Sequence, residues 1–385
     1  MKLLFITGSL VHGGAERHTV GLLNSLAQRG HECRAAYVQD EASQLARLQG
    51  AASAECLHAG RYLDFAAVGR LKDLIEKTQP TAVLAANPYA MMYAALALRQ
   101  SAVSAPLAAT FHTTHLRDAK ERLKMLYYRP LFWSADCVVF VCEAQRRHWR
   151  RRLVFGRTNK VIHNGVDPQH WRAPDPEVRE RARAVLGFAP ADYVVGMCAV
   201  LRPEKNPLQL VDALALLRSR DVPARALLIG DGPLRPAVEA RARALGVAAS
   251  LTIAGFQQDV RPFLAAADAV ALCSTSETFP LAALEAMALG RPVVLPAVGG
   301  AAEMVRPGRE GFLFPVGDTA ALVGCLTALA DARLRGVMGE HARETVEARF
   351  SERAMLDRYE QLLLKLAITR RQRENLRRSA TAHQG

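Results

Sequence analysis

The stretch from Ser274 to Gly300 constrains the fold more than any other part of this sequence. It directly follows an apolar run, residues 269–273, which is typical of a buried strand. Pro280 suits the first turn of a helix, Gly290 suits its end, and residues 293–295 begin another apolar run. The predicted order of strand, loop, helix and strand is that of the ligand-binding edge of an open α/β sheet.

Two carboxylates lie within this stretch. Glu277 falls in the loop at the carboxyl end of the predicted strand, and Glu285 about one and a half turns into the helix. The helix also carries an apolar stripe, and the free amides at its start suit an anion. The pattern therefore predicts a ligand site; the alternative is a surface helix carrying two solvated glutamates. The stripe consists of Leu281, Leu284, Ala288 and Leu289.

The rest of the chain alternates between strand and helix patterns, which predicts two parallel, doubly wound sheets. A length of 385 residues allows two or three domains. The proline-rich segment 168–176 is typical of a linker. We therefore predict an N-terminal domain over 1–170, a C-terminal domain over 171–350, and a final helix with a basic tail over 351–385. Strands are predicted at 33–38, 82–85, 107–110, 137–141, 160–162, 193–200, 226–230 and 251–256.

Two cations follow the strand predicted at 193–200. Arg202 and Lys205 are three residues apart, at a strand end and before a helix that Asn206 is expected to cap. The helix amides and both positive charges would then face one anion, which favours a diphosphate clamp. The alternative is a salt-bridged loop.

The N-terminal half carries weaker signals. Gly13 and Gly14 stand between a strand and a helix, where glycine lets the backbone approach a phosphate or a sugar, although a tight turn also requires glycine. His112 follows the strand at 107–110, again at a carboxyl end where ligands bind. The alternative is a loop histidine with a packing or capping role, and for His115 that reading is at least as good.

The formal charge of +13 lies in two segments. Residues 117–160 hold twelve Lys or Arg against four Asp or Glu, and residues 361–385 hold six against one. Such patches predict an acidic partner: membrane phospholipid, a phosphorylated substrate or nucleic acid. A predicted basic helix over 116–133 and an arginine run at 146–152 favour a membrane surface, and a helix with one solvated face is the alternative. The first segment also carries Tyr127, Tyr128, Phe132 and Trp133.

The cysteines and the hydropathy of the chain indicate its cellular compartment. The seven cysteines include no Cys-x-x-Cys pair, which predicts reduced core thiols rather than disulfides or a zinc site. No uncharged apolar run reaches 18 residues, and the apolar amino terminus resembles a first strand rather than a signal peptide. We expect a cytoplasmic protein, peripheral on the cytoplasmic face of the membrane if the basic segments bind lipid.

The two glutamates, followed by Ala-Met-Ala-x-Gly-x-Pro-Val-Val, resemble the donor-site motif of retaining glycosyltransferases of family 4, which have the GT-B fold. The resemblance covers nearly the whole chain and is densest over 193–315. It implies two Rossmann-like domains facing across a cleft, with the last helix crossing back to the N-terminal domain. An Asn-Gly-Val-Asp turn at 164–167 fits the segment that closes the first domain in this family.

The resemblance also implies roles for individual residues. Glu277 would bind donor-sugar hydroxyls, assisted by the backbone of the segment that follows it, Phe279, Pro280 and Leu281, and Glu285 would bind the ribose. Arg202 and Lys205 would neutralise charge on the leaving diphosphate. His112 would meet the donor sugar, Gly13 and Gly14 would border the diphosphate and the acceptor, and Phe256 would lie beside the base.

The implied activity is retaining transfer of a sugar from a nucleoside-diphosphate sugar, with UDP or GDP, to a lipid-linked or cell-envelope glycan of the lipopolysaccharide or exopolysaccharide type. No Asp-x-Asp motif stands where a metal would hold the diphosphate, so we expect neither a metal nor a cofactor. One alternative is a sugar-nucleotide epimerase on the same fold; a phosphorylase would need a pyridoxal-phosphate lysine segment, and none is recognisable. The alternative of a nucleic-acid-binding protein is supported by charge alone, so we do not expect this chain to bind nucleic acid.

Overall fold

The structure is a computed structural model that describes residues 1–10, 14–49, 52–112, 114, 119–173 and 175–382. Of these, it does not describe the side chains of residues 14, 15, 119, 120, 374, 377, 378 and 380–382. Two compact units are present: unit 1 comprises Met1–His163 and Met355–Gly385, and unit 2 comprises Asn164–Ala354. The domain boundaries expected at 170 and 350 stay predictions.

Unit 1 is built on a seven-stranded sheet in the order β3-β2-β1-β4-β5-β6-β7, in which every pairing is parallel. Its central strands are buried on both faces because helices cover them, as their continuous apolar runs predict. The elements are β1 Lys2–Thr7, α1 Gly14–Gln28, β2 Glu32–Tyr37, β3 Ser53–Cys56, α2 Phe65–Thr78, β4 Ala82–Ala86, α3 Asn87–Gln100, β5 Leu107–Phe111, α4 Ala119–Ser134, β6 Cys137–Phe140, α5 Glu143–Arg150 and β7 Thr158–Val161.

Unit 2 repeats this plan with six parallel strands in the order β10-β9-β8-β11-β12-β13. Short 3-10 helices occupy Leu45–Arg47 in unit 1 and Pro203–Lys205 and Ala248–Ser250 in unit 2. The elements are α6 Pro176–Val185, β8 Tyr193–Cys198, α7 Pro207–Arg218, β9 Ala224–Ile229, α8 Arg235–Ala244, β10 Leu251–Gly255, α9 Arg261–Ala266, β11 Ala269–Ala271, α10 Leu281–Ala288, β12 Val293–Pro296, α11 Ala301–Met304, β13 Gly311–Phe314, α12 Thr319–Ala328 and α13 Ala332–Arg349.

The last helix, α14 (Glu352–Ala382), packs into unit 1 from Met355 onwards. One face of it joins the apolar core formed by β1 and α1. The apolar side chains recur at helical spacing, which is how a single stripe reaches the core. Two Rossmann-like sheets and a final helix that returns to the first of them confirm the predicted GT-B fold class. The buried face consists of Met355, Leu356, Tyr359, Leu362 and Leu363.

Among the described residues, no helix combines the length and the apolar character that a membrane span requires. All seven cysteines are free thiols, and four of them are buried. One predicted capping contact is wrong: Asn206 occupies the cap position of α7 in a left-handed conformation, and its side chain donates to Gln209 rather than capping the helix.

Candidate active site

The strand order of unit 2 reverses between β8 and β11, the position at which ligands bind in open α/β sheets. Arg202 and Lys205 follow β8, and Glu277 follows β11. The two loops are tied together because the Thr275 amide donates to the Glu204 carbonyl over 2.9 Å. Residues about 70 positions apart in sequence therefore meet at one edge of the sheet.

Lys205 and Glu277 form an ion pair at this edge, with 2.5 Å between Nζ and Oε1. The Ser274 hydroxyl donates to the same carboxylate oxygen over 2.8 Å. The Glu277 side chain is only 11% exposed, so its charge is held by these partners rather than by bulk water. The side chain is fixed in position, which suits a group that must recognise hydroxyls of a sugar.

Arg202 lies on the same loop, and its backbone is fixed by the loop after β9. The Leu201 amide donates to the Asp231 carbonyl over 3.0 Å. Gly230 permits this approach, since a Cβ there would lie 2.0 Å from the Ala199 carbonyl oxygen. The Arg202 side chain is exposed, and within the described part of the chain it makes no ion pair. It is therefore a cation available to an anionic ligand.

The helix α10 begins at Leu281, with Pro280 at its cap position rather than in its first turn. The Phe279 carbonyl accepts a hydrogen bond from the Asn164 side-chain amide over 3.0 Å, and the buried Phe279 ring packs edge-on against Phe350. Both contacts fix the backbone just before the helix. Glu285 lies on the buried side of α10, and only 3% of the residue is exposed. The ribose-binding role expected from the sequence implies a more exposed side chain.

A second glycine loop supports Glu277, and sequence reasoning did not assign it to the site. Gly299 has a φ of +60°, and a Cβ there would lie 2.2 Å from the Glu277 carbonyl oxygen. The next amide, of Gly300, donates to the Thr278 carbonyl over 2.7 Å. Only glycine fits at this close approach. The signal in the sequence was the Gly-Gly pair directly after the apolar run of β12.

In unit 1, His112 follows β5 as predicted, and its amide donates to the Asn87 side chain over 3.3 Å. Its ring lies 4.8 Å from the His18 ring on α1, and His18 lies 6.1 Å from the Tyr359 ring on α14. Burial lowers the pKa of His18 to about 4 and the pKa of His112 well below its ordinary value. Both imidazoles are therefore neutral near pH 7.

Among the described residues, each member of this trio has a buried polar atom without a hydrogen-bond partner, namely His18 Nε2, His112 Nε2 and the Tyr359 hydroxyl. Such atoms are uncommon in folded proteins, and each requires an explanation such as a catalytic role or a bound water. His18 and Tyr359 were not predicted. His18 follows the predicted glycine pair by four residues, but a histidine within a helix carries no distinctive signal.

The remaining predicted residues are distributed as follows. Gly13 and His115 lie outside the described residues, and Gly14 is the first residue of α1. Phe256 follows β10, the outer strand of its sheet, and is 64% exposed. The structure brings Arg202, Lys205 and Glu277 together within unit 2, while His112 and Gly14 belong to unit 1.

Comparison with known proteins supports a sugar-transferring enzyme. Residues 12–170 match the family described as Glycosyltransferase Family 4, and residues 192–332 match glycosyl transferases group 1. The chain is 31% identical over 362 residues to the lipopolysaccharide core biosynthesis glycosyltransferase LpsE of Rhizobium meliloti, covering 91% of this chain and 96% of LpsE.

Two further proteins are similar to this chain. The putative glycosyltransferase EpsD of Bacillus subtilis is 29% identical over 290 residues, covering 74% of this chain and 76% of EpsD. A crystal structure of Anabaena HepE in complex with UDP has the same fold, with a TM-score of 0.85 at 24% identity over 95% of this chain and all of HepE. The chain is therefore a member of glycosyltransferase family 4, an enzyme with the GT-B fold.

Proposed function

We propose that this enzyme transfers a sugar from a nucleoside-diphosphate sugar to a cell-envelope glycan with retention of anomeric configuration. The observation that carries the proposal is the Lys205–Glu277 ion pair beside the exposed Arg202 at the switch point of the unit 2 sheet. Two cations suit the diphosphate, and a fixed carboxylate suits sugar hydroxyls. UDP is the favoured nucleotide, with GDP the alternative, because HepE was crystallised with UDP and with UDP-glucose.

The reaction proposed is a displacement at the anomeric carbon. The bond between that carbon and the diphosphate oxygen breaks, and the acceptor hydroxyl forms a new bond on the same face. The departing phosphate oxygen takes the acceptor proton, so no protein nucleophile is required. Arg202 and Lys205 stabilise the charge that develops on this leaving group. Glu277 holds the sugar through its hydroxyls, and the amide of Leu281 at the start of α10 adds a fixed dipole.

We propose that the reaction needs no metal or other cofactor, because guanidinium and ammonium groups already supply positive charge where the diphosphate would bind. His112 is proposed to meet the donor sugar. Its buried Nε2 makes no hydrogen bond to the part of the chain that the structure describes, and the neutral ring can donate to or accept from a hydroxyl. Glu285 and Phe256 are proposed to bind the ribose and the base.

The acceptor is proposed to be a lipid-linked or envelope glycan of the lipopolysaccharide or exopolysaccharide type. The description of LpsE as a lipopolysaccharide core enzyme supports this class. We further propose that unit 1 meets the cytoplasmic face of an anionic membrane. Its helix α4 exposes Leu123, Leu126 and Tyr127, whose spacing places them on one helix face. Tyr127, at 72% exposure, is the most exposed of the three.

Part of the predicted aromatic surface is not available for this contact, because Tyr128 and Phe132 are buried in the core of unit 1. Trp133 is partly exposed, and its indole donates to the Leu153 carbonyl over 2.9 Å, which joins α4 to the turn after α5. The helix α5 and that turn carry exposed arginines, so basic and apolar groups adjoin, as at a membrane interface. These arginines are Arg147, Arg150, Arg151 and Arg152.

A donor screen tests the proposed function. The purified enzyme would be incubated with UDP- and GDP-sugars, and nucleoside diphosphate release would be measured with and without lipid-linked glycan acceptors. We expect one donor to raise the unfolding temperature and to release nucleotide faster with acceptor, yielding a product that keeps the donor's anomeric configuration. A product with the inverted anomeric configuration would contradict the proposed retaining mechanism. Conversion of the nucleotide sugar into another nucleotide sugar without acceptor would contradict the proposed transferase activity.

A further inference from the structure

A cluster of three unlike metal-binding side chains lies at the carboxyl edge of the unit 1 sheet. Asp40 follows β2, Cys56 ends β3, and His58 lies two residues beyond it. Their ligand atoms all lie within 4.8 Å of one another. In the described part of the chain this is the one group of three histidine, cysteine or acidic residues with such spacing.

The backbone brings these side chains together. Tyr37 and Cys56 face each other in the register between β2 and β3, and the ladder continues through the amides of Leu57 and Ala59. Arg70 on α2 fixes the following loop by donating two hydrogen bonds to the Leu57 carbonyl, at 2.9 and 2.7 Å. The backbone that carries Cys56 and His58 is therefore held by a sheet edge and a helix.

His58 is held in an unusual conformation. Its φ is +43°, in the left-handed region that non-glycine residues rarely adopt. Arg70 also donates to its carbonyl over 3.2 Å. This backbone directs the ring so that Nδ1 lies 3.3 Å from the Asp40 carboxylate. The 3.3 Å separation is close to the distance of about 3.5 Å between two ligands of a tetrahedral zinc ion.

The sulfur of Cys56 already receives a hydrogen bond. The His58 amide donates to Sγ over 3.3 Å. Hydrogen bonds of this kind orient a side chain that binds a metal. Cys56 is also only half-buried, so an ion can reach it from solvent.

We propose that Asp40, Cys56 and His58 bind one zinc ion. A thiolate, an imidazole and a carboxylate form a donor set that suits zinc better than magnesium or calcium, which prefer oxygen ligands. Three protein ligands leave a fourth position for water or a ligand oxygen. The site belongs to unit 1, whereas Arg202, Lys205 and Glu277 belong to unit 2, so the inference goes beyond the proposed transfer reaction.

Cobalt titration tests the site. The full-length protein, freed of metal with a chelator, would be titrated with Co²⁺ while absorbance is recorded, and Zn²⁺ would then be added. We expect a thiolate-to-cobalt charge-transfer band that saturates at one equivalent and disappears as zinc displaces cobalt. The Cys56→Ser variant should lose the band, and the zinc affinity of Asp40→Asn should fall on the order of 10-fold or more.

Two further variants keep the result interpretable. His58→Gly removes the imidazole while tolerating the left-handed backbone, so it should fold normally and still lose zinc affinity. Cys325→Ser removes another half-buried thiol, on α12, and should bind as the wild type does. The proposal is overturned if the wild-type protein shows no thiolate band, or if Cys56→Ser and His58→Gly bind zinc as tightly as the wild type.

Discussion

The ammonium of Lys205 lies 2.5 Å from the carboxylate of Glu277, although 72 residues separate them in the chain. The pair joins the loop after β8 to the loop after β11, and it relates the two charges that the proposed mechanism uses most directly. It also raises an alternative, because Glu277 could serve only as the counter-ion of Lys205. A double-mutant cycle separates these roles.

For this cycle we predict that Glu277→Gln lowers kcat/KM on the order of 10- to 100-fold, since the amide still accepts from Ser274 but loses the charge. If Glu277 and Lys205 each contact the donor, the Lys205→Ala/Glu277→Gln double variant will be slower than either single variant. Steady-state kinetics with the identified donor measure this. A double variant as active as Lys205→Ala would reduce Glu277 to a counter-ion.

Stability should fall with acid in a way that depends on His18. Burial lowers the pKa of His18 from its ordinary 6.5 to about 4. Below pH 6.5 the unfolded chain therefore binds a proton at this residue that the folded chain does not, so the free energy of unfolding decreases until the pH reaches about 4. His18→Gln should remove about 2 kcal/mol of the decrease between pH 7 and pH 5.

Urea unfolding at the two pH values measures this difference. His170→Gln, which removes an exposed histidine, is the matched control and should leave the decrease unchanged. An identical pH dependence in His18→Gln and the wild type would show that the His18 imidazole is not held neutral by its surroundings. His112→Gln should act in the same direction, because burial also lowers the pKa of His112.

Transfer activity should survive excess chelator. Arg202 and Lys205 supply the positive charge for the diphosphate, so removing divalent cations should leave turnover within about twofold of its normal value. The proposed zinc site provides an internal check: chelator should strip zinc while nucleotide release continues. Loss of activity that magnesium or manganese restores would reveal a metal requirement at the donor site.

Membrane binding should depend on the arginines of α5 and the turn after it. We predict that the protein floats with vesicles containing anionic phospholipid, that binding weakens as salt rises, and that Arg147→Glu/Arg150→Glu/Arg151→Glu abolishes it. Each cation near such a surface contributes about 1 kcal/mol. Arg146 is left unchanged because it pairs with Glu143 over 2.7 Å.

The matched control reverses three exposed arginines of unit 2, namely Arg218, Arg220 and Arg243, with the same change in net charge. This control should float as the wild type does. Equal failure of wild-type protein to bind anionic and neutral vesicles at low salt would contradict the membrane proposal. Loss of flotation in both triple variants would show that membrane binding depends on net charge alone and not on this surface of unit 1.

The strands and most helices were predictable because apolar runs and glycine signals mark them clearly, as at β11 and α10. The strand β3 was missed because Ser53–Cys56 is only four residues long, and so short an alternation of polar and apolar residues does not stand out from a loop. The region after Thr319 holds three helices, since Asp331 caps α13 and Ser351 separates α13 from α14.

The site was predicted unevenly for a similar reason. Arg202, Lys205 and Glu277 stand at strand ends, and the carboxyl ends of parallel strands converge, so sequence alone brought them to one edge. His18 and Tyr359 lie within helices, where only three-dimensional packing places them beside His112. The Asp40, Cys56 and His58 cluster depends on the register of the unpredicted strand β3.

The account depends most on the two donor-site cations, and turnover of their alanine variants tests it most directly. With the donor identified by the screen, we predict that Arg202→Ala and Lys205→Ala each lower turnover on the order of 100-fold or more, while their unfolding temperatures stay close to that of the wild type. Arg220→Ala, an exposed arginine in the same unit, should turn over normally. Near-normal turnover in both Arg202→Ala and Lys205→Ala would contradict the proposed diphosphate clamp.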